Sequence, residues 1–197
     1  MKQNTSAPNC AVILDIDGTL VPILVDFDSL RERVKKLLGV DKPLRPLGES
    51  LAQLEISSDL KDKAWSIIEE AEEESVKRLD PFEVARNVEF VKNLSSQGID
   101  IYFVTARSSR TALKLLSKLG LQGYARDVVT RDYSVFRKEQ LRLILEKAKG
   151  KKVIFIGDTV YDEASASSVG IAFMRVKSYR DLPELLSTIL EFCRSTQ

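Results

Sequence analysis

Apolar positions along this chain fall into two kinds of run. Short, nearly continuous stretches at 11–14, 99–104, 128–130, 153–156 and 171–176 read as strands, and an unbroken apolar run suits a strand buried on both faces. Between them the apolar residues recur at helical spacing. Val84, Val88, Val91 and Leu94 follow the capping box Asp80-Pro81-Phe82-Glu83 and end at Gly98. Ala112, Leu113, Leu116 and Leu119 stop at Gly120, Leu141, Ile144, Leu145 and Ala148 stop at Gly150, and Asp181-Leu182-Pro183-Glu184 opens a last helix. Strands alternating with helices predict right-handed crossovers and a parallel sheet covered on both faces, which is an α/β, doubly wound, Rossmann-like core.

The first crossover breaks this rhythm. A strand-helix-strand unit takes about 30 residues, whereas Asp17 and Thr105 stand 88 positions apart, 105 less 17. An insert of about 60 residues follows from the same comparison, placed at 21–79, which leaves 10–20 and 80–197 for the core. The insert reads as all-helical. Asp28 is positioned to cap a helix carrying Leu30, Val34, Leu37 and Leu38, and Asp59 a longer one carrying Ala64, Trp65, Ile68, Ala71 and Leu79. Lys42-Pro43-Leu44-Arg45-Pro46 breaks any helix between them. The acidic run Glu69, Glu70, Glu72, Glu73 and Glu74 reads as a solvated helix face, and Trp65 as packing inside the insert.

Charge and composition narrow the function. Thirty basic against 29 acidic residues leave a formal net charge of +1, so no polyanion-binding surface and no nucleic-acid partner are expected. At 197 residues the chain can bury a substantial core without an oligomer. It has no histidine, which excludes Ser-His-Asp and Cys-His catalysis and histidine-ligated zinc or haem. Cys10 and Cys193 have no metal-site spacing and read as packed or idle thiols. Residues 1–9 are polar, the apolar run behind them is too short for a signal peptide, and no run approaches membrane-spanning length. A soluble, cytoplasmic protein with no membrane partner is the expectation.

The candidate chemistry lies at the ends of the predicted strands. Asp15-Ile16-Asp17-Gly18-Thr19 follows the first, Thr105-Ala106-Arg107 the second, and Gly157-Asp158-Thr159 the fourth. In open parallel sheets ligands bind beyond those C-terminal ends. Side chains two apart on a strand share a face, so Asp15 and Asp17 point one way and Ile16 the other. Two adjacent carboxylates repel unless a cation lies between them or one is protonated, and either arrangement serves catalysis. Asp162 follows Asp158 by four residues, so a helix starting there turns both toward one region. Taken singly, each motif has a plainer reading: an Asx-rich turn for the first, a solvated loop arginine for Arg107, and a strand end with an N-cap for Gly157 to Thr159.

Together these residues resemble the haloacid dehalogenase superfamily, in its phosphatase branch. Asp15 to Thr19 match that family's first motif, Thr105 its second, and Gly157, Asp158 and Asp162 its fourth. Its third motif is a lysine, for which Lys138 is the candidate, although Glu139 stands where many relatives have proline and Arg137 precedes it. The resemblance implies hydrolysis of a small phosphate monoester through an aspartyl-phosphate, with Asp15 as nucleophile and Asp17 as acid and base. It implies Mg²⁺ held by Asp15, the Asp17 main chain and Asp158, with Asp162 behind them. Thr105, the neighbouring backbone at Ala106, and Lys138 hold the phosphoryl oxygens. The insert matches the family's helical cap, small and phosphoglycolate-phosphatase-like, with Arg45 as one cap contact and a small phosphorylated metabolite as partner. Two other readings stand beside it: a sugar-phosphate mutase of the β-phosphoglucomutase kind, and a non-catalytic binding protein with this fold. Asp17 argues against dehalogenation, whose enzymes lack the second acid.

Overall fold

The structure, a computed structural model, describes residues 9–195. Five strands form one sheet: β1 (Cys10–Asp15), β2 (Asp100–Val104), β3 (Asp127–Val129), β4 (Lys152–Gly157) and β5 (Ala172–Arg175). All four pairings are parallel, in the order β3-β2-β1-β4-β5. β1 is central because every residue from Cys10 to Asp15 is apolar or buried on both faces. Its neighbours are β2 on one side and β4 on the other, so the strand order reverses beside it, where doubly wound sheets open a crevice.

Alternation along β1 sorts its side chains between two cores. Val12 and Leu14 join Phe90, Val91 and Leu94 of α4 (Ala85–Ser96), Leu115 and Leu116 of α5 (Ser109–Lys118), and Ile189 of α8 (Leu186–Arg194). Ala11 and Ile13 join Leu141 and Ile144 of α6 (Arg137–Lys147), Ala166 of α7 (Val160–Val169), and Phe155. Asp15 has the parity of Ala11 and Ile13. It therefore emerges on the side of α6 and α7, and that parity decides which side chains meet it.

The segment after β1 contains α1 (Phe27–Leu38), α2 (Leu47–Gln53) and α3 (Ser58–Arg78). Val25, Leu30, Val34, Leu44, Leu47, Leu51, Ala64 and Ile68 form a cluster of their own, with Trp65 packed against it. Toward its C-terminus α3 changes partners, because Val76 and Leu79 belong to the cluster on the α4 face of the sheet.

Several local expectations shift. Asp26 caps α1 by accepting from Ser29 N–H at 3.0 Å, and Ser57 caps α3 by accepting from Leu60 N–H, in place of Asp28 and Asp59. The break at 42–46 holds, but α2 follows it directly, since Pro46 lacks an N–H that a helix start does not need. Asp80 accepts from Phe82 N–H, and a 3₁₀ turn (Pro81–Val84) precedes α4. A second such turn (Tyr179–Leu185), capped reciprocally by Ser178 and Asp181, precedes α8.

Cys10 and Cys193 are joined in a disulfide, a correction to the reading of idle thiols. Their distance in sequence was no guide: α8 packs back on the sheet, and the two Cα atoms lie 5.4 Å apart. Among the described residues no helix is long and apolar enough to cross a membrane.

Candidate active site

The crevice beyond β1 collects carboxylates. One oxygen each of Asp15, Asp158 and Asp162 lie within 4.8 Å of one another. Asp15, 4% exposed, ends β1; Asp158 follows β4; Asp162 sits in the first turn of α7. Thr159 caps α7 and exchanges hydrogen bonds with Asp162, so the plainer N-cap reading of that motif is realised alongside the carboxylate cluster. Glycines make the approach possible. Gly18 has φ +88°, and a Cβ there would stand 2.3 Å from Asp158 Oδ2; one on Gly157 would meet the Asp162 side chain at 2.9 Å.

The cation against this cluster is Arg137. Its Nη2 donates to Asp15 Oδ1 at 2.5 Å, and its Nε lies 3.0 Å from Asp162 Oδ1, an ion pair whose N–H is not aimed at the oxygen. Lys138, the residue expected here, is half-buried, and its side chain takes part in none of the hydrogen bonds or ion pairs found among the described residues. Helix geometry supplies the reason. Arg137, Gln140, Leu141 and Ile144 are the buried face of α6, at spacings of three, four and seven, whereas position 138 lies about 100° further round the helix. Gln140 ties the face together by accepting from Arg137 Nη1 at 3.0 Å and donating to the Thr105 carbonyl at 3.0 Å.

Thr105 and Ala106 turn out of β2 beside Asp15, whose register partner is Val104. The Thr105 hydroxyl is buried and accepts from Arg107 N–H at 3.1 Å; Ala106 is exposed, and its carbonyl accepts from Arg131 Nη1 at 2.9 Å. Asp17 lies past the end of β1 and is half-buried. Its carboxylate is outside the Asp15 trio, held by Arg107 through Nε at 2.7 Å and Nη2 at 2.6 Å.

Arg107 is therefore no solvated loop residue, being 3% exposed. Nor is the acidic run wholly solvated. Glu72, 6% exposed, accepts from Thr111 Oγ1 at 2.7 Å and Ser108 N–H at 3.2 Å at the start of α5, and it pairs with Arg131. The Arg131 guanidinium in turn lies over the Trp65 ring, 5.1 Å from its centroid. Their helical periodicity could not separate Glu72 from its neighbours. In the structure Glu72 falls on the buried side of α3, at spacings of three and four from Ile68, Ser75 and Val76.

Electrostatics mark the same spot. Burial pushes the Asp15 carboxyl well above the usual carboxylate range; Arg137 opposes this, and Asp162, Asp158 and Asp17 add to it. Asp158 is pushed up to about 6, by burial first and then by Asp162. Glu49 of α2 is raised by burial, with the neighbouring Arg137 opposing this, which brings α2 to the rim of this cluster. Asp158 Oδ1, Asp162 Oδ1 and Glu49 Oε1 are buried oxygens with no hydrogen-bond partner. Unpaired buried carboxylate oxygens are costly, and a hard cation is the partner that suits several at once. The donor set fits a divalent ion such as Mg²⁺.

Comparison with known proteins identifies relatives of the whole fold. Residues 11–170 match the family model described as haloacid dehalogenase-like hydrolase. A phosphoglycolate phosphatase of Agrobacterium fabrum is 34% identical over 106 residues, covering 49% of this chain and 44% of that protein, so the match spans under half of the relative's length. A hydrolase from Pseudomonas syringae superposes with a TM-score of 0.69 at 16% identity, over 92% of this chain and 98% of the other. A haloacid dehalogenase-like family hydrolase from Streptococcus pneumoniae superposes at 0.62 with 20% identity, over 93% and 97%. At those identities the two structures speak for the fold alone.

Proposed function

Because the chain belongs to the haloacid dehalogenase-like hydrolase family, we propose that it hydrolyses a small phosphate monoester, with Asp15 as the nucleophile. The observation that carries this reading is the buried Asp15 beside Asp158 and Asp162, with the Asp158 Oδ1 oxygen left without a partner. In the first step an Asp15 oxygen attacks phosphorus and the ester oxygen departs, taking a proton from Asp17. In the second, Asp17 accepts a proton from water as that water attacks the aspartyl-phosphate, releasing phosphate and restoring Asp15. The Thr105 hydroxyl, the Ala106 backbone and the Arg137 guanidinium are the groups in reach of the phosphoryl oxygens, and Arg137 takes the part expected of Lys138.

Asp15 and Asp158, with the Asp17 main chain, would hold Mg²⁺, and Asp162 orients Arg137 behind them. A hard cation bound there supplies charge neutralisation at the phosphoryl oxygens and between the carboxylates. Residues 21–79 serve as the cap over the site, the core being 10–20 and 80–197. Glu49 and Trp65 of the cap, with Arg131 of the core over the Trp65 ring, are the groups offered to the substrate's leaving group. The Agrobacterium relative makes phosphoglycolate the first substrate to try. The direct test is release of inorganic phosphate from a panel of small phosphate monoesters by purified protein, with EDTA and with restored Mg²⁺. Turnover of none of them overturns the reading.

Metal binding has a signature independent of turnover. Asp158 at about 6, against a usual 3.8, means that the metal-free folded state binds more protons than the unfolded chain between those values. Ionising that carboxyl as the pH rises through the window therefore costs stability, and a bound cation removes the cost. Added Mg²⁺ is expected to raise Tm more at about pH 7.5 than at about pH 5, where it competes with the proton. Equal shifts at both, or a larger one in acid, would contradict the assignment.

A further inference from the structure

Arg107 joins three parts of the molecule. Its main chain belongs to the turn after β2, with its N–H on the Thr105 hydroxyl. Its guanidinium forks onto both oxygens of Asp17, with Nε on Oδ2 at 2.7 Å and Nη2 on Oδ1 at 2.6 Å. The remaining donors turn to α3, where Nη2 reaches Ser75 Oγ at 2.9 Å and Nη1 the Glu72 carbonyl at 3.3 Å. Ser75 and Glu72 are themselves buried, and Ser75 Oγ donates to the Glu72 carbonyl at 2.6 Å. One planar cation is thus satisfied by the insert along one edge and by Asp17 along the other.

We infer that Arg107 is a positioning residue, whose seat on α3 sets the rotation of the Asp17 carboxylate. The inference rests on the reading of Asp17 as acid and base. A forked guanidinium fixes the plane of a carboxylate more tightly than a point charge does. Each Asp17 oxygen that accepts one N–H keeps a second lone pair, which is the one available for a proton moving to or from the leaving group. Without the Glu72 carbonyl and the Ser75 hydroxyl, the fork is no longer held in one orientation. Protonation of the leaving group then depends on this seat, whereas attack by Asp15, whose cation is Arg137, does not use it.

That asymmetry separates the proposal from a merely structural role. An aryl ester such as para-nitrophenyl phosphate has a leaving group that needs little protonation, whereas phosphoglycolate and glycerol phosphate, as alkyl esters, need it fully. Arg107→Gln is expected to lower kcat on the alkyl esters by about 10²-fold and on the aryl ester by less than about tenfold, with KM little changed. Arg107→Lys, which keeps the charge without the fork, should fall between; it carries the test if the glutamine variant does not fold. Ser75→Ala, which touches Arg107 only from the insert, should lower the alkyl-to-aryl ratio several-fold, on the order of the loss of one hydrogen bond. Equal losses on both ester types in a folded Arg107 variant, or an unchanged ratio in Ser75→Ala, overturn the proposal. Wild-type protein inactive on both types overturns the phosphatase reading itself, so the two failures are told apart.

Discussion

Asp15→Asn is expected to lower kcat by about 10⁴-fold or more, as removal of a member of a covalent catalytic unit does elsewhere. The amide preserves the volume of a side chain that is 4% exposed, so the sheet should be undisturbed. Stability gives an independent check. Burial holds the Asp15 carboxyl well above its usual range, with Arg137 only partly offsetting it, so an uncharged side chain there relieves a cost in the metal-free protein. Tm without Mg²⁺ should be unchanged or higher, and the rise on adding Mg²⁺ should shrink. Near-normal turnover in the folded variant would remove Asp15 from the chemistry.

Arg137→Ala is expected to lower kcat by about 10²- to 10³-fold, as loss of a donor to a developing anion does, with Lys138→Ala within about threefold of wild type. The guanidinium is buried between Asp15 and Asp162, and its removal leaves two carboxylates without their cation. The alanine variant is therefore best measured in saturating Mg²⁺ beside Arg137→Lys, which keeps the charge and should recover part of the rate. A larger loss from Lys138→Ala than from Arg137→Ala would return the phosphate-contacting role to Lys138.

The core of this fold was legible because strand and helix periods differ so plainly in it. All five strands stand within about a residue or two of the apolar runs, and the sheet is parallel as the alternation of strands and helices demands. Asp15, Thr105 and Asp158 were legible for the same reason, since each sits at or just past a strand end and the topology brings those ends together. What escaped was whatever depended on rotation about a helix or on contact between distant segments. The choice between Arg137 and Lys138 turned on one residue of helical phase, which is as fine as an uncertain helix start allows. Glu72 and Arg107 looked solvated because charged residues usually are, and their burial comes from partners distant in sequence, Ser108, Thr111 and Arg131 for the Glu72 carboxylate and Asp17 and Ser75 for Arg107. The disulfide joins residues 183 positions apart, a contact no local pattern encodes. α2 was missed because it is only seven residues long and follows a proline.

The most direct measurement of the central claim, that the phosphoryl group passes through Asp15, is the stereochemical course of hydrolysis at phosphorus. The substrate is a phosphorothioate monoester made chiral with two oxygen isotopes, and water supplies the third. Transfer to Asp15 and then to water is two in-line displacements, so the account predicts retention of configuration in the released thiophosphate. Inversion would mean that water attacks the ester directly in a single displacement, and it would contradict the account.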